Sequence, residues 1–225
     1  SLFVSIFSFI NILYSIYFQF NLDLNSYTAT LLISLALGLL FCFLGKKDSK
    51  NITFKGQVTL IFVSYFFVPL LICIPYFFGS YDIAFIDSYF EAISGFTTTG
   101  FSVISNLENL NEPLLLWRSS SQWLGGLIFL ISILGTLGSK RTGIKPLYLI
   151  PESNLEVNFF NNFFPKLIKI LVIYLLTTFI IILLYNLTGI RFFDSFNLAF
   201  TTISSGGFLS KNILNNIVTN NFQIL

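Results

Sequence analysis

Two short strings of small and hydroxyl-bearing residues could do chemistry with a cation. Thr97, Thr98, Thr99, Gly100 and Phe101 form one, and Ser204, Ser205, Gly206, Gly207 and Phe208 form the other. A cation that leaves water must keep oxygen around it, and aligned main-chain carbonyls can stand in for its hydration shell. Glycine gives the chain the φ needed to turn a carbonyl inward, while the hydroxyls can brace the loop or add oxygen. A second candidate is a carboxylate pair, Asp87 and Glu91, which lie one helical turn apart on one face, as acid–base catalysis would want. No GxSxG, phosphate-binding loop or metal-ligand cluster accompanies them, and the chain has no histidine, the commonest general base. Cys42 and Cys73 lie in separate apolar stretches without a CxxC, so they are read as packing residues and neither a zinc site nor a disulfide framework is expected.

The elements that would place such loops follow from composition. Hydrophobic residues make up 55% of the 225 positions and charged residues 10%, more oily surface than a soluble domain of this size can hide. Charge-free runs occupy 1–22, 24–45, 56–81, 119–139 and 170–190. At about 1.5 Å per helical residue, each covers a hydrocarbon layer of about 30 Å, and five spanning helices are expected. The first run lacks the basic start and small-residue cleavage site of a signal peptide, so it is read as a helix. Pro69 and Pro75 are expected to kink the third helix. Lys46, Lys47, Lys50 and Lys55 form one basic group, and Lys140, Arg141, Lys145, Lys166 and Lys169 another. The positive-inside rule makes both cytoplasmic, and five alternating helices put them on the same side. Asp23, Asp82, Asp87, Glu91, Glu108, Glu112 and Asp194 then fall outside, where they would form a negative mouth; Asp23 and Glu112 are read individually as solvated loop charges.

Residues 83–101, IAFIDSYFEAISGFTTTGF, are too short and too polar to cross. Both flanking helices meet this segment on the outer side, so it must enter and leave from there, with protein or water beside its unpaired backbone. Asp87 sits where an N-cap is wanted, and a short helix from about Ser88 to Phe96 is expected. The object recurs after the fifth helix. FIDSYFEAISGFTTTGF (85–101) aligns without a gap on FFDSFNLAFTTISSGGF (192–208), with identities at Phe85/Phe192, Asp87/Asp194, Ser88/Ser195, Ala92/Ala199, Gly100/Gly207 and Phe101/Phe208. This is an internal repeat of helix, pore loop and helix, which favours transport over catalysis.

On Phe90–Ser102 (FEAISGFTTTGFS), Trp117–Gly126 (WRSSSQWLGG) and Thr201–Phe208 (TTISSGGF), the chain resembles the Trk/Ktr/HKT potassium transporter superfamily. The pair of helices within 2–45 looks like the extra N-terminal pair of its TrkH-type branch. The resemblance implies an all-α integral membrane fold, with helix/pore-loop/helix repeats of potassium-channel type preceded by two extra transmembrane helices. It implies K+ held by backbone carbonyls of Thr98, Thr99, Ser205 and Gly206, with Thr97, Gly100, Phe101, Ser204, Gly207 and Phe208 shaping the filter and Asp87, Asp194 and Arg118 supporting it. It implies K+ as the transported ion, a homodimer in lipid, a cytosolic nucleotide-binding regulatory subunit touching loops such as 139–166, no nucleic acid, and the inner membrane of a bacterium. The expected division is 1–50 for the N-terminal helix pair, 51–140 for the first repeat, 141–165 for a cytoplasmic linker and 166–225 for a second repeat truncated before its closing helix. Two repeats stand where the family has four, and the second tip reads SSGGF where the first reads TTTGF. A sodium-permeable member of the same fold and a membrane-embedded enzyme using Asp87 and Glu91 are the alternatives. Arg118 either snorkels to headgroups or pairs with an outer carboxylate such as Glu91. Trp117 and Trp123 are read as interface-belt residues or as packing against the pore helix, with the belt preferred for Trp117, and Gly125 and Gly126 as sites of close helix approach.

Overall fold

The computed structural model describes residues 1–20, 23–45, 54–104, 110–137 and 159–208. Among them the chain is helical: α1 (Leu2–Tyr17), α2 (Leu24–Gly45), α3 (Phe54–Ile72), α4 (Ile74–Phe77), α5 (Phe85–Phe96), α6 (Glu112–Leu137), α7 (Phe159–Leu187) and α8 (Phe192–Ser204).

In a chain whose lipid-facing and protein-facing surfaces are both oily, the small polar residues mark the inside. On α1 the buried stripe includes Ser5, Ser8, Asn11 and Ser15; on α2 it is Ser26, Thr30, Ser34 and Gly38, spaced one turn apart. The two stripes let the helices pack closely as a hairpin. Leu2 sits so near Gly38 that a Cβ there would force it aside. The outer faces, including Ile6, Phe9, Leu13, Leu32, Leu39 and Phe43, are exposed as a lipid-facing surface would be.

Among the described residues, four stretches are long and apolar enough to cross a membrane: Leu24–Gly45, Lys55–Phe77, Glu112–Gly135 and Phe164–Leu187. The expected fifth, α1, has 16 residues, short of the roughly 20 that a span needs. It ends because the chain turns at Gln19, a left-handed residue (φ 59°), where the Phe20 N–H reaches back to the Ser15 carbonyl at 2.8 Å. The third run breaks as its prolines predict: Pro69 lies inside α3, and Pro75, which has no N–H to give, sits in the first turn of α4 after a step at Cys73. Cys73 is buried and donates to the Leu70 carbonyl, whereas Cys42 is exposed on α2.

α6 is the centre of the molecule, touching α1, α3, α5, α7 and α8. Of its spanning stretch, 67% is buried, against 17% for α2 and α7. Its start is fixed by Asn111, whose Oδ1 accepts from the Leu114 N–H at 3.1 Å.

The acids near the helix ends are less exposed than their sequence suggests. Asp23 is 5% exposed; it accepts from the Ser80 N–H at 2.8 Å, the Ser80 hydroxyl at 2.5 Å and Asn111 Nδ2 at 2.8 Å. It pins the α1–α2 turn to the loops before α5 and α6 and is not a solvated charge. Asp23→Ala is expected to lower stability by about 1–3 kcal/mol, because it strands the Ser80 and Asn111 donors; thermal unfolding in detergent measures it. Glu112 is likewise engaged, by Tyr14 Oη at 2.5 Å and Arg191 Nη1 at 2.7 Å.

Candidate functional site

α5 and α8 end in the same way. After α5, the Thr98 N–H donates to the Gly95 carbonyl at 3.0 Å and the Thr99 N–H to that of Ser94 at 2.9 Å; after α8, Ser205 donates to Thr202 at 3.1 Å and Gly206 to Thr201 at 2.9 Å. This is a Schellman closure, which needs one left-handed residue. Thr98 and Ser205 supply it, both at φ 57°, and two residues later Gly100 and Gly207 follow at φ 80° and 76°. Every one of these pairs is matched by the gapless alignment of 85–101 on 192–208, so the repeat read from side chains is also a repeat of backbone conformation. Left-handed φ costs a non-glycine residue about 1–2 kcal/mol, partly offset by the flexibility a glycine adds to the unfolded chain. Ser205→Gly is therefore expected to raise stability by about 0.5–1 kcal/mol, read as a higher melting midpoint.

The two tips meet. Gly100 lies so close to Gly206 that a Cβ on Gly100 would collide with the Gly206 carbonyl oxygen. Around this contact, Thr97, Thr99, Phe101, Ser205 and Gly207 are exposed, Thr98 and Gly100 are half-buried, and Ser204, Gly206 and Phe208 are buried. The Thr97 hydroxyl donates to the Ile93 carbonyl at 2.8 Å and lies 2.7 Å from that of Thr99, so these hydroxyls brace the first tip. The Gly206 carbonyl is not free on all sides: Gln122 Nε2 donates to it at 2.7 Å.

The tips are held by one helix, on two adjacent faces. Arg118, Ser121 and Gly125 of α6 face the first repeat. Arg118 Nη2 lies 2.8 Å and Nε 2.9 Å from Glu91 Oε1, with 2% and 0% of the two side chains exposed. Glu91 also accepts from the Ser102 hydroxyl at 3.0 Å and the Val103 N–H at 3.1 Å, and so ties α5 to the segment leaving its own tip. Ser121 packs on Gly95, and Gly125 lies against the Phe96 carbonyl with no room for a Cβ. Ser119, Gln122 and Gly126 face the second repeat. Ser119 donates to Asn197 Oδ1 at 2.5 Å, and Gly126 abuts Ser204 and the Tyr174 hydroxyl. The Arg118 guanidinium bridges the two sides, 4.2 Å from the centre of the Phe208 ring.

Of the two readings of Arg118, the pairing with Glu91 holds and snorkelling does not. Other sequence readings change here. Trp117 is 2% exposed and donates to the Ile72 carbonyl at 3.0 Å; it is an interior strut, not a belt residue. Trp123 is also interior, donating to Thr178 Oγ1 at 3.0 Å. α5 begins at Phe85 with Ala84 as its N-cap and no side-chain cap bond, so Asp87 does not cap it. Asp87 is an exposed acid in the first turn, where it favours the helix through the dipole. Asp194 holds the same place in α8, 8% exposed, and accepts from Arg191 Nε at 3.2 Å. Partial burial alone would lower the Arg191 pKa, but hydrogen bonds to Asp194 and Glu112 outweigh it and raise the value. The expected negative mouth shrinks accordingly. Asp23, Glu91, Glu112 and Asp194 are engaged by donors, Asp82 and Asp87 are exposed, and Glu108 lies outside the described residues, as do Lys46, Lys47, Lys50, Lys140, Arg141 and Lys145.

The carboxylate pair does not form an acid–base site. Glu91 is fully buried and committed to Arg118, Ser102 and Val103, while Asp87 faces outward. Sequence reasoning missed Gln122, Asn197 and the Tyr14–Glu112–Arg191 link. A glutamine one turn beyond Arg118 in a membrane-spanning stretch was the one signal on offer, since an amide in such a place needs a partner.

Long apolar helices, two short helices with matched C-terminal turns and a shared supporting helix define a multi-pass helical membrane protein with an internal repeat. The family profile described as TrkH, cation transport protein, matches residues 24–222, and the chain belongs to that family. It is 30% identical over 217 residues to an uncharacterized cation transporter of Methanocaldococcus jannaschii, covering 93% of this chain and 43% of that protein. It is 26% identical over 187 residues to the Trk system potassium uptake protein TrkH of Escherichia coli K12, covering 82% of this chain and 39% of the other. Its fold matches the crystal structure of the potassium transporter TrkH from Vibrio parahaemolyticus with a TM-score of 0.68 at 23% identity, over 93% of this chain and 42% of that one. The chain thus spans about two-fifths of the length of these relatives. Their names are those of transporters, not enzymes.

Proposed function

We propose that this chain contributes two of the pore loops of a potassium uptake protein, and that backbone carbonyls of Thr98, Thr99, Ser205 and Gly206 line part of the ion path. One observation carries this: two tips with the same left-handed backbone pattern meet at Gly100 and Gly206. Loops of that shape turn main-chain oxygen toward a shared space, which is what a dehydrated alkali cation needs. The names of two relatives, a potassium uptake protein and a potassium transporter, support K+ as the ion. The Gly206 carbonyl, with one lone pair taken by Gln122, has one left for an ion.

Under this reading, 1–50 is a supporting helix pair, 51–140 the first repeat, 141–165 a cytoplasmic linker and 166–225 the beginning of the second repeat. The working protein is a homodimer in the cytoplasmic membrane of a bacterium, regulated by a cytosolic nucleotide-binding subunit at the linker. The full-length protein, expressed in cells lacking their own potassium uptake, is expected to restore growth at low K+ and to take up 86Rb+ in preference to 22Na+. Equal uptake of the two would favour the sodium-permeable reading, and no uptake of either would refute an ion path at these tips.

A further inference from the structure

Gln122 is the largest buried polar side chain of α6 that takes part in no ion pair or helix cap. It is fully buried, and an amide in such a place costs free energy unless its donors and acceptor are matched. Its Nε2 donates to the Gly206 carbonyl at 2.7 Å and its Oε1 accepts from the Phe208 N–H at 3.2 Å. One orientation of the amide satisfies both bonds, since the nitrogen has no lone pair to accept with and the oxygen no hydrogen to give.

The two bonds straddle Gly207, a glycine at φ 76° with open space where a Cβ would stand. A side chain at Gly206 would overlap the Gln122 carboxamide, so this approach requires glycine. From the other side, the same Gly206 carbonyl meets Gly100 of the first tip. It is therefore fixed between an amide of α6 and the neighbouring loop. The first tip is braced differently, through Glu91, Ser102 and Val103.

We propose that Gln122 is a positioning residue for ion selection: it sets the direction of the second tip's carbonyls and the distance between the two tips. This rests on the reading of those tips as the ion path. Selectivity depends on the number, field and freedom of the carbonyl dipoles around the ion. An amide that grips the backbone on both sides of a glycine fixes all three at that level.

The test uses the full-length protein with Gln122→Met, which keeps the volume and removes both bonds, and Gln122→Glu, whose carboxylate still accepts from Phe208 but cannot donate to Gly206. Thr177→Ala, on the exposed face of α7, is the control. The readout is the ratio of 86Rb+ to 22Na+ uptake at equal membrane abundance. Both Gln122 variants are expected to lower it at least about tenfold, with the control unchanged. A parent ratio above one that both folded variants retain overturns the role of Gln122 and leaves the ion path standing. A parent protein that takes up both ions without preference overturns a selective role for Gln122 and favours the sodium-permeable reading of the same path, and a parent with no uptake of either ion removes both. Should neither variant assemble, amide hydrogen exchange in the unaltered protein decides: a Phe208 N–H that exchanges as fast as one in a free peptide overturns the grip, and slowing by at least about a hundredfold supports it.

Discussion

Replacing Arg118 with leucine is expected to lower stability by about 3–5 kcal/mol, because it leaves Glu91 charged, fully buried and without its counter-ion. The pair is not worth that much as an attraction. Removing two charges from water costs nearly what their mutual interaction returns, so the loss comes from the orphaned partner. Glu91→Gln in the same protein is therefore expected to recover at least half of it. A glutamine oxygen can still accept from the Val103 N–H, and a neutral amide is far cheaper to bury than a carboxylate. Thermal unfolding of the purified protein, followed by the fluorescence of Trp117 and Trp123, measures both steps. Both indoles are bonded inside the core and report on its opening. An Arg118→Leu protein within about 0.5 kcal/mol of its parent would show that Glu91 is already uncharged or hydrated, and would remove the buried pair from the account.

What the sequence made legible was mostly what depends on backbone conformation and chain length. The alignment of 85–101 on 192–208 was found from six identities, yet its structural content is four backbone positions, Thr98, Ser205, Gly100 and Gly207, with matching left-handed φ. The closeness expected of Gly125 and Gly126 was legible for the same reason, since absence of a side chain is visible in sequence. The direction in which a side chain points was not. Hydrophobic periodicity finds the buried face of a helix in water, but in lipid both faces of α3 and α7 are apolar and the signal fades. Trp117 was thus given to the membrane interface when it points inward at Ile72. Asp23 and Glu112 were given to solvent because they lie near helix ends, and the partners that hold them are distant in sequence: Ser80 and Asn111 for one, Tyr14 and Arg191 for the other. The more useful rule here runs the other way. Ser5, Ser8, Asn11 and Ser15 mark the protein-facing side of α1 by being polar, and Arg118 and Gln122 do the same for α6.

Gly100→Ala is expected to abolish the contact between the two tips, and its comparison with Gly207→Ala separates two costs that a glycine can hide. Both residues have left-handed backbone, at φ 80° and 76°, so either alanine meets a penalty of about 1–2 kcal/mol from backbone sterics alone. At Gly207 that is the whole effect, because nothing lies within reach of an added Cβ. At Gly100 the Cβ runs into the Gly206 carbonyl, a backbone atom that Gln122 holds from behind and that cannot swing away as a flexible side chain would. Overpacking of this kind adds about 1–3 kcal/mol, and relief requires one tip to move. Gly100→Ala is therefore expected to lower ion uptake by the full-length protein at least tenfold at matched abundance, and Gly207→Ala to leave most of it, with a lower melting midpoint in both. The same uptake and melting measurements on the two variants decide the matter. Equal losses would mean that the close approach of Gly100 to Gly206 plays no part in forming the path.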